Sequence, residues 1–211
     1  VLGQPITLRV DNAQVASDSG AAIWVAPRRS VRYDITVANG SQLSGGDGHL
    51  LLVRPDGVAA SEAEVHFTVD DARLAGDITF EAERVTGSLD VVLRNKAQID
   101  GRFANVTTAS IDSDSTWLMT GDSTVGHLTL GAGGTVALGD GSSFNTLSLD
   151  AFTGNGGTLL FNTVLGDDCH WLRVSAEDVQ PMSGSTSRGL AGANSRTQPW
   201  VLAVPDCMAF R

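Results

Sequence analysis

Lysine is almost missing from this chain: Lys96 is the only one in 211 residues, so arginine carries nearly all the positive charge. Charged residues of both signs make up only 18% of the sequence, and the formal net charge is −10. That balance argues against binding nucleic acid or an anionic membrane by bulk electrostatics. No apolar run approaches the ~18 residues that a membrane-crossing helix needs. No basic stretch leads into an apolar one as in a secretory signal, so any export signal is expected to have been removed. The two cysteines, Cys169 and Cys207, both lie late in the chain. One pair builds no disulfide framework, and the spacing is not that of a metal site. Amphipathic helix is scarce too. The best candidate, residues 58–65 (VAASEAEV), is shorter than a normal helix and runs straight into the alternating HFTV.

What is present is a turn-rich, strand-favouring mixture, with 42% hydrophobic residues and abundant Gly, Ser, Thr, Asp and Asn. Similar segments recur along the chain. They are ITLRVDNAQVAS from Ile6, YDITVANGSQLSG from Tyr33, VHFTVDDARLAGD from Val65 and LDVVLRNKAQIDG from Leu89. ASIDSDSTWLMTG from Ala109 and LTLGAGGTVALG from Leu128 continue the series. Each is an alternating strand, a polar or small-residue corner, and one more apolar residue: Val15, Leu43, Leu74, Ile99, Trp117 and Val136. Those residues fall roughly 18 to 31 positions apart, a period typical of repeat architectures. A strand with one apolar face cannot bury it alone, whereas strands stacked at the ~4.8 Å sheet spacing share a continuous interior. The expected fold is therefore all-β, a right-handed parallel β-helix, with a β-sandwich as competitor.

The stretch DSTWLMTGDSTVGHLTL, Asp114–Leu130, sharpens that expectation. Its pattern, D-S-x-W-x-x-x-G-D-S-x-V-x-x-L-x-L, closely resembles a segment near the end of autotransporter passenger domains of the pertactin and AIDA type. The likeness continues through GGTVALGDGSSFNTLSLDAFTGNGGTLLFNTVLGDD, Gly133–Asp168, and so covers about a quarter of the chain. In that family the region caps the β-helix and helps the passenger fold outside the cell, ahead of a membrane-embedded β-barrel. The resemblance implies a Gram-negative surface or secreted protein, exported through the periplasm, that acts as a non-enzymatic adhesin and virulence factor. It implies a host cell-surface or serum protein as partner, no cofactor, and no membrane insertion by this segment. Residues 1–108 would be passenger rungs and residues 109–168 the terminal rungs with a chaperone-like cap. After Asp168 the sequence departs from the family. Trp171, Leu172 and Val174 would complete one rung, and residues 169–211 then read as a divergent cap, an engineered end or an out-of-frame segment.

Other chemistry competes with this reading. Gly121-Asp122-Ser123 with the later Asp167-Asp168-Cys169-His170 resembles the GDSL esterases, in which such a Ser, Asp and His form a triad. Three features oppose it. No helix follows Ser123, the motifs lie too close to hold an α/β sheet between them, and no oxyanion loop is evident. A corner between strands is the favoured role for Gly121–Ser123. His49, His66, His127 and His170 are scattered without helical ligand spacing, and His66 and His127 read as polar-side strand positions. Asp112, Asp114 and Asp122 could gather along a corner, and GGDGHL from Gly45 faintly resembles a calcium-binding nonapeptide. Such sites require tandem repetition, which the sequence lacks, so solvated turns are favoured. Polysaccharide cleavage would need acids clustered with an arginine such as Arg84, Arg94 or Arg102. Of Trp24, Trp117, Trp171 and Trp200 as carbohydrate platforms, Trp117 sits at a core position. Trp24 is followed by Arg28, Arg29 and Arg32, the one compact basic patch in an acidic sequence and the candidate partner-binding surface. The sequons at Asn39 and Asn105 carry little information here. The alternatives to adhesion are capture of a soluble host defence factor, such as a complement regulator, and a surface esterase or polysaccharide-cleaving enzyme.

Overall fold

The computed structural model describes residues 4–27, 30–57, 61–140 and 145–160, together with three two-residue strands further on. The described residues contain no helix. Segment 58–65, the best helical stretch of the sequence, leads instead into the strand Ser61–Asp70.

Strands succeed one another in sets of three. The first set is β1 (Ile6–Asp11), β2 (Gln14–Ser17) and β3 (Ile23–Val25); the second is β4 (Val31–Ala38), β5 (Gln42–Gly45) and β6 (His49–Val53). The third is β7 (Ser61–Asp70), β8 (Arg73–Ala75) and β9 (Asp77–Phe80), and the fourth β10 (Val85–Arg94), β11 (Gln98–Asp100) and β12 (Phe103–Ala104). Three pairs follow: β13 (Val106–Ile111) with β14 (Thr116–Leu118), β15 (Ser123–Leu130) with β16 (Thr135–Ala137), and β17 (Leu147–Gly154) with β18 (Thr158–Leu160). We call each set a tier.

Successive tiers add strands to the same sheets, in parallel. The first sheet runs β1-β4-β7-β10-β13-β15-β17, the second β8-β11-β14-β16-β18, and the third β3-β6-β9-β12. The pair β2-β5 stands beside β8 and so lies in line with the second sheet. The apolar residues singled out by the sequence pair in register: Val15 with Leu43, Leu74 with Ile99, Ile99 with Trp117, and Trp117 with Val136. In the first sheet Ile6 meets Tyr33, Tyr33 meets Val65, and Val65 meets Leu89.

The period-2 alternation of these strands decides which side is buried. In β7, Ala63, Val65, Phe67 and Val69 are fully buried, while the residues between them keep solvent contact. One continuous apolar cluster, from Val10 to Leu149, fills the interior. Each buried Val, Leu, Ile or Phe contributes about 1.5–3 kcal/mol relative to exposure.

The corners between the first and second sheets are tight and come in two forms. The shorter has a single left-handed residue, Asn12 (φ 47°) or Asp71 (φ 50°). The longer has two in succession, as in Asn39–Gly40, Asn95–Lys96 and Ser113–Asp114. Asn and Asp tolerate this backbone because their short polar side chains bond locally. Corner amides bond to the neighbouring tier: Asn39 N donates to Asp70 O at 3.1 Å and Lys96 N to Ser113 O at 3.0 Å. Two residues before the second-sheet apolar position stands a small residue in every tier: Ala13, Ser41, Ala72, Ala97, Ser115, Gly134 and Gly157. The two serines among them are buried and work as connectors. Ser41 Oγ accepts from Ala13 N at 3.2 Å, and Ser115 Oγ accepts from Ala97 N at 3.1 Å.

Beyond residue 160, β19 (Leu172–Arg173) pairs antiparallel with β21 (Val201–Leu202), and β20 (Asp178–Val179) adds to β17 in parallel. Leu172 thus does not continue the second sheet. Trp171, Val174, Asp167, Cys169, His170, Trp200 and Cys207 lie outside the described residues, as do Arg28 and Arg29.

Candidate functional site

Ser123 opens β15, with its side chain on the buried side of the strand; the residue is 2% exposed. Its hydroxyl accepts from Phe103 N at 3.1 Å and donates to the Gly121 carbonyl at 3.0 Å. The hydroxyl is therefore engaged with backbone groups as both acceptor and donor, the first of them on β12. Asp122 works alongside it, its carboxylate accepting from Thr146 N at 2.7 Å in the tier after. Gly-Asp-Ser is a three-residue corner that ties three tiers together. His127 is on the same strand but on its outer side, where Nε2 meets Thr153 Oγ1 at 2.9 Å.

Trp117 is fully buried, and its Nε1 donates to the Gly101 carbonyl at 2.9 Å. The chain passes close to its neighbour at residue 101 because there is no side chain there: a Cβ would stand 2.1 Å from Gly76 O.

Trp24 behaves differently. It occupies the outward position of β3, between the buried Ile23 and Val25, and is 49% exposed. Its Nε1 donates to the Arg54 carbonyl at 2.9 Å, which fixes the plane of the ring. The Arg54 guanidinium lies 5.6 Å from the ring centroid, within cation–π range. Arg54 follows β6, and Glu81, which follows β9, bonds back to that strand, with Glu81 N donating to Val53 O at 3.0 Å. The Glu81 carboxylate stands between two guanidinium groups, with Oε1 3.9 Å from Arg54 and Oε2 3.3 Å from Arg84. Arg84 also donates to the Gly57 carbonyl. An indole with two cations around one anion is therefore presented on the outer edge of the third sheet.

Arg32 does not join this surface. It lies on β4 in the first sheet, where its Nε donates to Asp34 Oδ1 at 2.8 Å and its register partner is Glu64. Trp24 on β3 and Arg32 on β4 thus belong to different sheets. Sequence proximity gathers residues that the fold separates, and misses Arg54, which reaches Trp24 from the next tier, and Glu81 and Arg84, which follow it through ion pairs. The signal for them is register: Trp24 pairs with Leu52, and Leu52 with Thr79.

The outer side of the first sheet carries a second polar array. Asp34, His66, Asp90, Thr108 and His127 stand on successive strands in register. His66 Nδ1 is 3.3 Å from Asp90 Oδ2, and Thr108 Oγ1 donates to Asp90 Oδ1 at 2.7 Å. This is an open-faced polar contact braced by a hydroxyl, of small energetic weight. Of the arginines considered for polysaccharide cleavage, Arg94 pairs with Asp70 at 2.9 Å and Arg102 with Asp77 at 3.4 Å. Arg84, as above, belongs to the Trp24 surface.

Asp112 and Asp114 share one corner, and Asp122 sits at another. Among the described residues no three His, Cys, Asp or Glu side chains gather as a set able to hold a metal ion, and no helix is long and apolar enough to cross a membrane. Comparison with known protein families and with curated proteins finds no match to this chain.

Proposed function

We propose that the chain is a right-handed parallel β-helix of the autotransporter passenger type, a non-enzymatic scaffold at a bacterial cell surface or released from it. Its work is to hold binding surfaces, on sheet faces and loops, toward a host cell-surface or serum protein. The observation that carries this reading is the register of the Asp114–Leu130 stretch. Trp117 stacks between Ile99 and Val136, and Ser123 accepts from Phe103 N on one side and donates its own N–H to Thr146 O on the other, so the motif residues are spent on joining tiers. The resemblance to passenger domains rests on the residues of Asp114–Leu130 and Gly133–Asp168, and the family comparisons add nothing to it. The parallel strand order common to all three sheets supports the solenoid.

The test is twofold. Purified protein should bind host epithelial cells or capture a partner from serum, saturably. It should show no ester hydrolysis that Ser123→Ala abolishes. Activity that vanished in that variant would make the surface esterase the better reading. Binding from serum without binding to cells would favour capture of a soluble defence factor.

A further inference from the structure

Among the described residues, Trp24 is the exposed aromatic ring of the large apolar side chains that reach solvent; the others, Ile6, Leu8 and Leu160, are aliphatic. Ile6, Leu8 and Leu160 lie on β1 and β18, which are edge strands among the described residues, where fewer neighbours cover them. Trp24 is also on an edge strand, but it points outward from the sheet and is held in place by its own Nε1 hydrogen bond to Arg54 O. A ring fixed before a ligand arrives loses little side-chain entropy on binding.

The surroundings of the ring are charged. Arg54 and Arg84 are each 43% exposed and share one partner, Glu81, which is 27% exposed. The Arg54–Glu81 contact of 3.9 Å is longer than a hydrogen bond, so the guanidinium fork is not closed in a bidentate pair. A planar fork with free N–H groups recognises a carboxylate in a geometry that a point charge does not.

We infer that Trp24 and Arg54, with Arg84 joined to Arg54 through Glu81, form a binding site for an acidic saccharide, a hexuronate or sialate unit. The weakly polar C–H face of the pyranose packs on the indole, and its carboxylate takes the Arg54 fork. Glu81 serves as a positioning residue that holds both guanidinium groups and accepts from a sugar hydroxyl. A protein hot spot gathers desolvated apolar contacts around its aromatic anchor, whereas this indole is bordered by ions. The inference rests on the reading of the chain as a binding scaffold and names the chemistry of one of its surfaces.

The experiment is calorimetric titration of the whole chain with tetragalacturonate, a hyaluronan hexasaccharide and sialyllactose, with the methyl ester of tetragalacturonate and maltotetraose as controls. Saturable binding of at least one acidic saccharide is expected, weaker by tenfold or more for the ester and the neutral sugar. Trp24→Ala and Arg54→Gln should each weaken it at least tenfold, and Trp24→Phe less than Trp24→Ala. Arg73→Gln, on the second sheet, should leave it unchanged. Far-UV circular dichroism confirms that each variant keeps its fold, and Arg54→Gln serves if Trp24→Ala does not fold. No saturable binding by any of the three, or equal binding by folded variants, or equal binding of the ester, overturns the site. Cell binding that survives both substitutions removes this inference alone and leaves the scaffold reading standing.

Discussion

The rings of Phe103 and Trp117 lie 4.0 Å apart at an interplanar angle of 11°, stacked in the interior although the two residues belong to successive tiers. The pair joins the third sheet to the second through the core, and Trp117 adds its hydrogen bond to Gly101 O. Truncation of a buried aromatic of this kind costs about 3–5 kcal/mol. Trp117→Ala is therefore expected to lower unfolding free energy by that amount in a denaturant titration. Trp117→Phe keeps most of the packing and leaves the Gly101 carbonyl without its donor, so a smaller loss of about 1–3 kcal/mol is expected. Equal losses would mean that packing does not dominate there.

Ser115 and Ser123 make the same kind of connection at different corners. Removing either hydroxyl strands a buried N–H, that of Ala97 or of Phe103. Ser115→Ala and Ser123→Ala are each expected to destabilise by about 1–3 kcal/mol. The measurement is the shift in denaturation midpoint at constant slope. A Ser123→Ala protein as stable as the parent would remove the structural account of the Gly-Asp-Ser corner.

Lys96 adopts φ 64°, a left-handed conformation that suits neither its Cβ nor its long side chain. Glycine at that position removes the steric penalty, which is about 1–2 kcal/mol for an ordinary residue, less the flexibility that glycine adds to the unfolded chain. Lys96→Gly is expected to raise the thermal midpoint by a few degrees or leave it unchanged. The equivalent change at Arg94, which is in the extended strand before it, should lower it.

The corner carboxylates set a pH dependence. Asp11 and Asp70 are held below the ordinary carboxylate range, first by hydrogen bonds from Asn39 and Asn95 and then by Arg9 and Arg94. A depressed pKa means that the folded state favours the charged form. The stability so gained is present above the unfolded value of about 3.9 and is lost as the pH falls through the folded value. Melting midpoints are expected to drop on the acid side of about pH 4. Asn39→Gly and Asn95→Gly keep the left-handed backbone and remove the donors, so they should lower the midpoint at neutral pH and flatten the acid loss. An unchanged acid limb in the double variant would show that other groups control it.

The stacking rows are legible in the sequence alone. Val15, Leu43, Leu74, Ile99, Trp117 and Val136 announce themselves because burial forces an apolar residue after each corner, and the corner's Asn, Asp or Gly marks where it falls. The polar-side placement of His66 and His127 follows from the same alternation. The third sheet is not legible as such. Its strands are as short as Phe103–Ala104, too brief for periodicity to register. The Trp24 surface is half legible for a related reason. An exposed tryptophan beside arginines draws attention, but Arg54 and Glu81 reach it through strand register, which depends on loop lengths that local pattern does not encode.

Those loop lengths vary widely along one core. Val91 and Ala109 are neighbours across 18 residues of chain, and Ile35 and Phe67 across 32. Neither excursion disturbs the alignment of the tiers it connects. Structure and variation are thus kept in separate parts of the sequence: the inward positions answer to the stack, and the connecting segments answer to whatever lies outside it. A foreign peptide spliced into the long connection between β6 and β7 would be displayed on a rigid spine without retuning its neighbours.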